Sequence, residues 1–290
     1  MTATAPSRCL VCEESNFRFL FEKNDYSVQE CLSCKTARVE TIPSPEALRK
    51  HYDLSYFKGS KEKFGYVDYA TEEEGLVPTF KSRKTRIESE ISKGRILDVG
   101  CATGGFLKVF GPHWEKHGIE LSSELLEAHP APKDISIWIG DFLEYETADL
   151  FDVITLWDVL DHARDPAAML EKAAKLLRPG GLLCVLVGDR TSLFARVLGK
   201  RWHLYIPPTH LTFFSREGLS RLLDKTGFEF LSRTYEGKWV PLSQCFFRLS
   251  YILPFKFIWK LYEWLADTRL GRLWIPINLR DVALVYSRKR

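Results

Sequence analysis

The chain has 290 residues, 45% of them hydrophobic and 27% charged, with 41 Lys and Arg against 38 Asp and Glu. That length suits one large α/β domain with a small appendage, and the composition excludes disorder, collagen and coiled coil. A net charge of +3 is too small for nucleic-acid binding by electrostatics alone, so a nucleic-acid partner is disfavoured.

The opening stretch MTATAPSRCLVCEE lacks the apolar region of a secretory signal, and no charge-free apolar run reaches the ~20 residues that span a bilayer. A cytoplasmic location is expected, where cysteines serve metals more often than disulfides. Cys9, Cys12, Cys31 and Cys34 form two Cys-x-x-Cys pairs with eighteen residues between them. Each pair offers two thiolates on one tetrahedral edge, and four thiolates leave no open position for water, so a structural zinc ribbon is expected over residues 1–45. Cys101, Cys184 and Cys245 read as small buried hydrophobes. Residues 46–79, with Tyr52, Tyr56, Phe57, Phe64, Tyr66 and Tyr69, read as a linker or lid.

Residues 80–290 alternate between helical and strand patterns. Helices are expected at 80–92, from 105 to 110, at 165–178 (stopped by Pro179-Gly180-Gly181) and at 215–225. Strands are expected at 95–100, 117–121, 135–140, 151–157, 182–187, 228–233 and 282–287, the last two as an antiparallel-like pair split by a long insertion. The fold class is α/β: a Rossmann-like, doubly wound, seven-stranded, mostly parallel sheet. Insertions at about 190–214 and 240–277 interrupt it.

Ligands of such folds sit at the C-terminal ends of the strands. The first core strand runs into Gly100-Cys101-Ala102-Thr103-Gly104-Gly105, which is neither a dinucleotide fingerprint nor a P-loop but lets a nucleoside approach the backbone closely. Glu120 ends the next strand, where a carboxylate accepts from ribose hydroxyls. Asp141 is placed to accept from an adenine amino group, and Phe142 to stack on or wall the ring.

Taken jointly, LDVGCATGGFL, IELS, GDF, FDVITLWDVLDHARDP and LLRPGGLL resemble the class I S-adenosylmethionine-dependent methyltransferases. With the cysteine-rich N-terminus and the segment GKRWHLYIPPTHLTFFS, the chain resembles a zinc-ribbon subgroup that includes nucleotide-sugar C-methyltransferases and natural-product methyltransferases. The resemblance implies S-adenosyl-L-methionine as cofactor, Gly100 and Gly104 along its methionine portion, Glu120 on ribose, Asp141 and Phe142 at adenine, and Trp157 with Asp158 facing the sulfonium. Asp98, Ala102 and Leu121 complete the expected cofactor set. The 190–214 segment would lie over the acceptor pocket.

Methyl transfer needs alignment, water exclusion and sometimes a base. Asp158, Asp161 and His162 stand at i, i+3 and i+4 of an expected helix start; they and His210 are the expected catalytic groups, as proton acceptors or as ligands of a divalent cation. The acceptor is expected to be a small molecule methylated at oxygen or carbon: a sugar, nucleotide-sugar or natural-product intermediate. Arg190, Arg196, Lys200 and Arg201, with the basic C-terminal residues 235–290, would favour an anionic one. A lipid-linked acceptor, an RNA methyltransferase and a non-catalytic binding module are the alternatives. The aromatic insertion suits a packed helical lid, a homodimer interface or a peripheral membrane contact, so the chain is expected to be a monomer or homodimer.

Overall fold

In the computed structural model, residues 7–44, 47–48, 69–252 and 255–290 are described. Of the expected lid aromatics, Tyr52, Tyr56, Phe57, Phe64 and Tyr66 lie outside them.

Three N-terminal strands, β1 (Phe17–Lys23), β2 (Tyr26–Cys31) and β3 (Ala37–Val39), precede helix α1 (Tyr69–Glu88). Then follow β4 (Gly94–Val99), β5 (Trp114–Glu120), α2 (Ser123–Ala128), β6 (Ile135–Ile139), β7 (Phe151–Trp157), α3 (Pro166–Leu176) and β8 (Leu177–Gly188). The C-terminal part comprises α4 (Leu193–Leu198), β9 (Thr212–Phe213), α5 (Arg216–Lys225), β10 (Phe228–Tyr235), β11 (Lys238–Pro241), α6 (Leu242–Ile252), α7 (Lys256–Ala266), β12 (Trp274–Ile277) and β13 (Val282–Lys289).

The large sheet has seven strands in the order β10-β13-β8-β7-β4-β5-β6. Only β13 runs against its neighbours. The expected class is therefore present, including the split pair β10–β13. Strand alternation explains the two-sided core: neighbouring residues point to opposite faces. Leu97, Ile154, Leu183 and Val185 pack with α3 and α5 on one face. Ile96, Val153, Leu182 and Leu186 pack with Phe80 and Ile87 of α1 on the other. Local signals set the helix starts: Asp165 accepts from Ala167 N and Ala168 N before Pro166, and Ser215 accepts from Gly218 N.

Two expectations of local structure differ. The stretch after the glycine loop forms only a short 3-10 turn, Leu107–Val109. Gly104-Gly105 on one side and Gly111-Pro112 on the other leave too few residues to nucleate an α-helix. The stretch Pro179-Gly180-Gly181 does not end α3 from outside, because β8 already begins at Leu177; it forms an excursion within β8, where the register against β7 shifts.

The N-terminal strands are built into the core. They form a second sheet, β1-β2-β3-β9, in which Ala37 pairs with Phe213 and Arg38 with Thr212. Arg190, just after β8, donates to Glu30 Oε1 (2.8 Å), to the Lys35 carbonyl and to the Tyr205 hydroxyl. The Ser215 hydroxyl donates to the Cys34 carbonyl. Arg190 is therefore a structural tie, buried with its partner, while Arg196, Lys200 and Arg201 stay exposed.

Candidate cofactor crevice and active site

Strand order reverses at β4, which lies between β5 and β7, so a crevice is expected at their C-terminal ends. The backbone there is shaped for close approach. Gly100, Ala102 and Gly104 all have positive φ (72°, 49° and 76°). A side chain at Gly100 would meet Val159 at 2.7 Å, so that position needs glycine on steric as well as torsional grounds.

Glu120 clamps this loop. Its Oε2 accepts from Ala102 N at 2.9 Å, and Oε1 from Leu121 N at 2.8 Å and Ser122 N at 3.0 Å. Burial pushes its carboxyl up from the ordinary range, against the pull of those three donors. Oε2, with one protein donor, retains acceptor capacity. Leu121, the next residue, is exposed.

Asp98 lies beneath the loop, buried, accepting from Thr155 Oγ1 at 2.6 Å. Burial raises its pKa from 3.8 to about 7. Asp141 caps a 3-10 turn by accepting from Leu143 N, and Phe142 is buried in the main core.

Trp157 ends β7. Its ring meets Phe106 edge-on at 5.1 Å between centroids, and its buried Nε1 donor has no hydrogen-bond partner. An orphaned indole N–H beside a glycine loop suits a polar ligand in the crevice. Arg83 of α1 stacks over the same ring at 4.4 Å and chelates Glu236, Nε lying 3.1 and 3.0 Å from its two oxygens. Sequence reasoning missed Arg83, because one arginine in a charged helix carries no sign that it is buried.

Beyond Trp157 the chain does not start a helix at once. Residues 158–165 form a turn, with Asp158 at φ 55°, and α3 starts only at Pro166. The i, i+3, i+4 helical face expected for Asp158, Asp161 and His162 is absent. The turn instead brings Asp161 and His162 to His210: the ligand atoms of all three lie within 4.8 Å of one another. Asp161 Oδ1 is 3.7 Å from His162 Nε2, and Oδ2 is 3.6 Å from His210 Nδ1. The two imidazoles are 4.6 Å apart between centroids. Asp158 is outside this trio but close enough to push Asp161 up. Burial is the larger cause, raising Asp161 to about 6, and its Oδ1 has no hydrogen-bond partner. The Asp161 carbonyl accepts from Leu211 N (2.9 Å) and Thr212 N (3.1 Å), so the ribbon-bearing sheet anchors the segment that carries His210.

The four N-terminal cysteines also converge, all sulfurs within 4.8 Å, with Cys9–Cys34 at 3.8 Å and Cys12–Cys31 at 3.5 Å. A tetrahedron with metal–sulfur bonds of about 2.3 Å has edges of about 3.8 Å. Burial raises the Cys12 thiol to about 11, and the neighbouring Cys9 thiol together with burial pushes Cys34 up; a bound cation would offset both. The donor set suits zinc.

An open depression of about 600 Å³ lies at the opposite, N-terminal ends of β4 and β5. Its charged lining is paired internally (Arg95–Glu115, Lys116–Asp134, Arg178–Asp152), as on an ordinary solvated surface.

A doubly wound sheet with its one antiparallel strand at β13 defines an α/β protein, and the glycine loop clamped by an acid is its candidate nucleoside site. Residues 75–233 match the sequence model of a methyltransferase domain family. The Coxiella burnetii ubiquinone biosynthesis O-methyltransferase is 30% identical over 167 residues, which cover 50% of this chain and 71% of that protein. The uncharacterized protein MJ1123 of Methanocaldococcus jannaschii is 27% identical over 156 residues, covering 53% and 74%. Among solved structures, the complex between the Haloferax volcanii Trm112 methyltransferase activator and a methyltransferase matches with a TM-score of 0.53 at 19% identity, covering 76% of this chain and 94% of that one. The [4+2]-cyclase SpnF matches at 0.51 and 18%, covering 86% and 97%. The chain belongs to the methyltransferase domain family and is a methyltransferase.

The buried Asp98 gives a pH signature. Its pKa is raised in the folded chain, so the stability it contributes is complete below the unfolded value and lost as pH rises through the folded one. Asp98→Asn should melt higher than the wild type above about pH 7, with the gap closing toward about pH 4. Scanning calorimetry across that range checks this; a gap that widens on acidification contradicts it.

Proposed function

We propose that this enzyme methylates oxygen or carbon of a small acceptor, a sugar, nucleotide-sugar or natural-product intermediate, with the Asp161–His162–His210 cluster as proton acceptor. Similarity to the Coxiella burnetii ubiquinone biosynthesis O-methyltransferase favours oxygen. The carrying observation is that His210 meets Asp161 and His162 just beyond the C-terminal end of β7, with Asp161 and His210 buried, His162 half-buried and Asp161 Oδ1 lacking a hydrogen-bond partner. S-adenosylmethionine, when bound, supplies an electrophilic methyl group on a sulfonium and departs as the neutral homocysteine thioether.

In this reading Glu120 Oε2 accepts from the ribose. Gly100, Ala102 and Gly104 admit the nucleoside and methionine portions, with Asp98 and Leu121 as neighbours. Asp141 and Phe142 stand toward adenine, Asp141 by its remaining carboxylate acceptors and Phe142 as a buried wall rather than a free stacking face. Trp157 Nε1 donates into the crevice, and Asp158 borders it. As the acceptor attacks, its proton passes to an imidazole of the cluster. His210 can receive it at Nε2 while Asp161 steadies the imidazolium from the Nδ1 side, and His162 lies within the same electrostatic reach. The same three side chains could instead hold a divalent cation that acidifies an acceptor hydroxyl, a reading favoured by their mutual distances. The four cysteines hold a structural zinc. The loss of Arg190 to an internal ion pair leaves Arg196, Lys200 and Arg201 as the local cations for an anionic acceptor.

The proton-acceptor reading is tested with radiolabelled S-adenosylmethionine and a panel of phenolic, sugar-nucleotide and lipid-linked acceptors. Changing His162 or His210 to Ala should lower kcat by about 10²-fold or more for at least one of the two, with affinity for S-adenosylhomocysteine unchanged. Full activity in both variants removes the cluster from the chemistry. Activity that chelator abolishes and magnesium restores selects the cation. Elemental analysis should find about one zinc per chain, lost in Cys9→Ser together with thermal stability; metal-free protein of undiminished stability contradicts the ribbon site.

A further inference from the structure

Two surface patches outside the candidate active site share one composition. On α4, Leu193 and Val197 (each 75% exposed) stand one turn apart beside the exposed Arg196, Lys200 and Arg201. On α7, Phe257 (66%), Lys260 and Trp264 (61%) recur at i, i+3 and i+7, which places them in one row. Phe255 stacks on Phe257 at 5.8 Å, and Lys256 is exposed at the start of the same helix. The buried side of α7, carrying Ile258 and Leu265, lies about 100° round the helix from that row. The row is therefore surplus to packing.

Both patches rise from the same end of the large sheet. α4 follows the C-terminal end of β8, where Gly188 pairs with Val282 at the start of β13. The hairpin of α6 and α7 leaves from the end of β10 and returns to that start of β13, beside the pair Tyr235–Ala283. Trp202 Nε1 donates to Asp281 Oδ2 at 2.7 Å, pinning the roots of the two insertions together. This is the end that carries the glycine loop, Glu120 and the Asp161–His162–His210 trio.

We propose that this rim docks on an anionic phospholipid bilayer, with the α7 row and α4 lying in the interface and the crevice opening toward lipid. Aromatic and aliphatic side chains flanked by lysine and arginine suit that boundary: the rings enter the headgroup layer while the cations meet lipid phosphates. Among the described residues, no helix is long and apolar enough to cross a membrane, so the contact is interfacial. Charge decides between occupants. Lys256 and Lys260 on α7, with Arg196, Lys200 and Arg201 by α4, outnumber the exposed acids Glu263 and Asp267 at the far end of α7, so an anionic bilayer complements the rim; self-association is the competing outcome of the test. The inference does not depend on which group accepts the proton.

Flotation of the full chain with phosphatidylcholine vesicles, with and without phosphatidylglycerol, tests it. Binding is expected to the phosphatidylglycerol vesicles and to weaken as salt rises. The Phe257→Ser/Trp264→Ser double variant should partition about tenfold or more weakly while keeping wild-type circular dichroism and S-adenosylhomocysteine affinity. Leu193→Ser/Val197→Ser should weaken binding separately. Absence of flotation with phosphatidylglycerol vesicles overturns the proposal, as does equal flotation of the folded Phe257/Trp264 variant. A lipid-free dimer on light scattering that the same variant dissociates assigns the row to self-association and also overturns it.

Discussion

The crevice depends on one carboxylate. Glu120 stands at the end of β5 yet hydrogen-bonds across to Ala102, in the loop after β4, and to Leu121 and Ser122 in its own. Parallel strands bring those two ends side by side, but nothing in a parallel ladder dictates the path of the loops beyond it. A buried acid with three backbone donors does, because moving the loop would leave polar groups unpaired out of water. The positive φ angles at Gly100, Ala102 and Gly104 persist under that constraint.

A second constraint ties the cysteine-bearing N-terminal strands to the Asp161–His162–His210 trio. Strand β3 pairs with β9, and the residues entering β9 donate to the Asp161 carbonyl. His210 lies one residue before that junction. Ordering of the cysteine cluster and placement of His210 are thus linked through a few backbone hydrogen bonds. Arg190 and Ser215 reinforce the link from the core side.

What was legible in the sequence was local. Two Cys-x-x-Cys pairs, a glycine-punctuated loop after an apolar strand, Asp165-Pro166 and Ser215 as helix starts, and the apolar β7 each carry their signal within a few residues. What escaped depends on distant partners. The two residues of β9 are too few for any periodicity, and their pairing with β3 spans most of the chain. Arg83 sits in a charged helix, and only the fold shows its ring contact with Trp157 and its pair with Glu236. The i, i+3, i+4 spacing of Asp158, Asp161 and His162 suits a helix start and a turn equally well, and Asp158 at positive φ is the residue that breaks the helical geometry. Arg190 reads in sequence as substrate-facing charge, and only the fold pairs it with Glu30.

The central claim is that the loop held by Glu120 forms the nucleoside site of a methyltransferase. Titration calorimetry with S-adenosylhomocysteine on the wild type and Glu120→Ala tests it most directly. Tight binding by the wild type is expected, with a loss of about 1–3 kcal/mol in the variant, the usual cost of unpairing buried polar groups. Equal affinity in a folded variant, or no heat from the wild type, would contradict it.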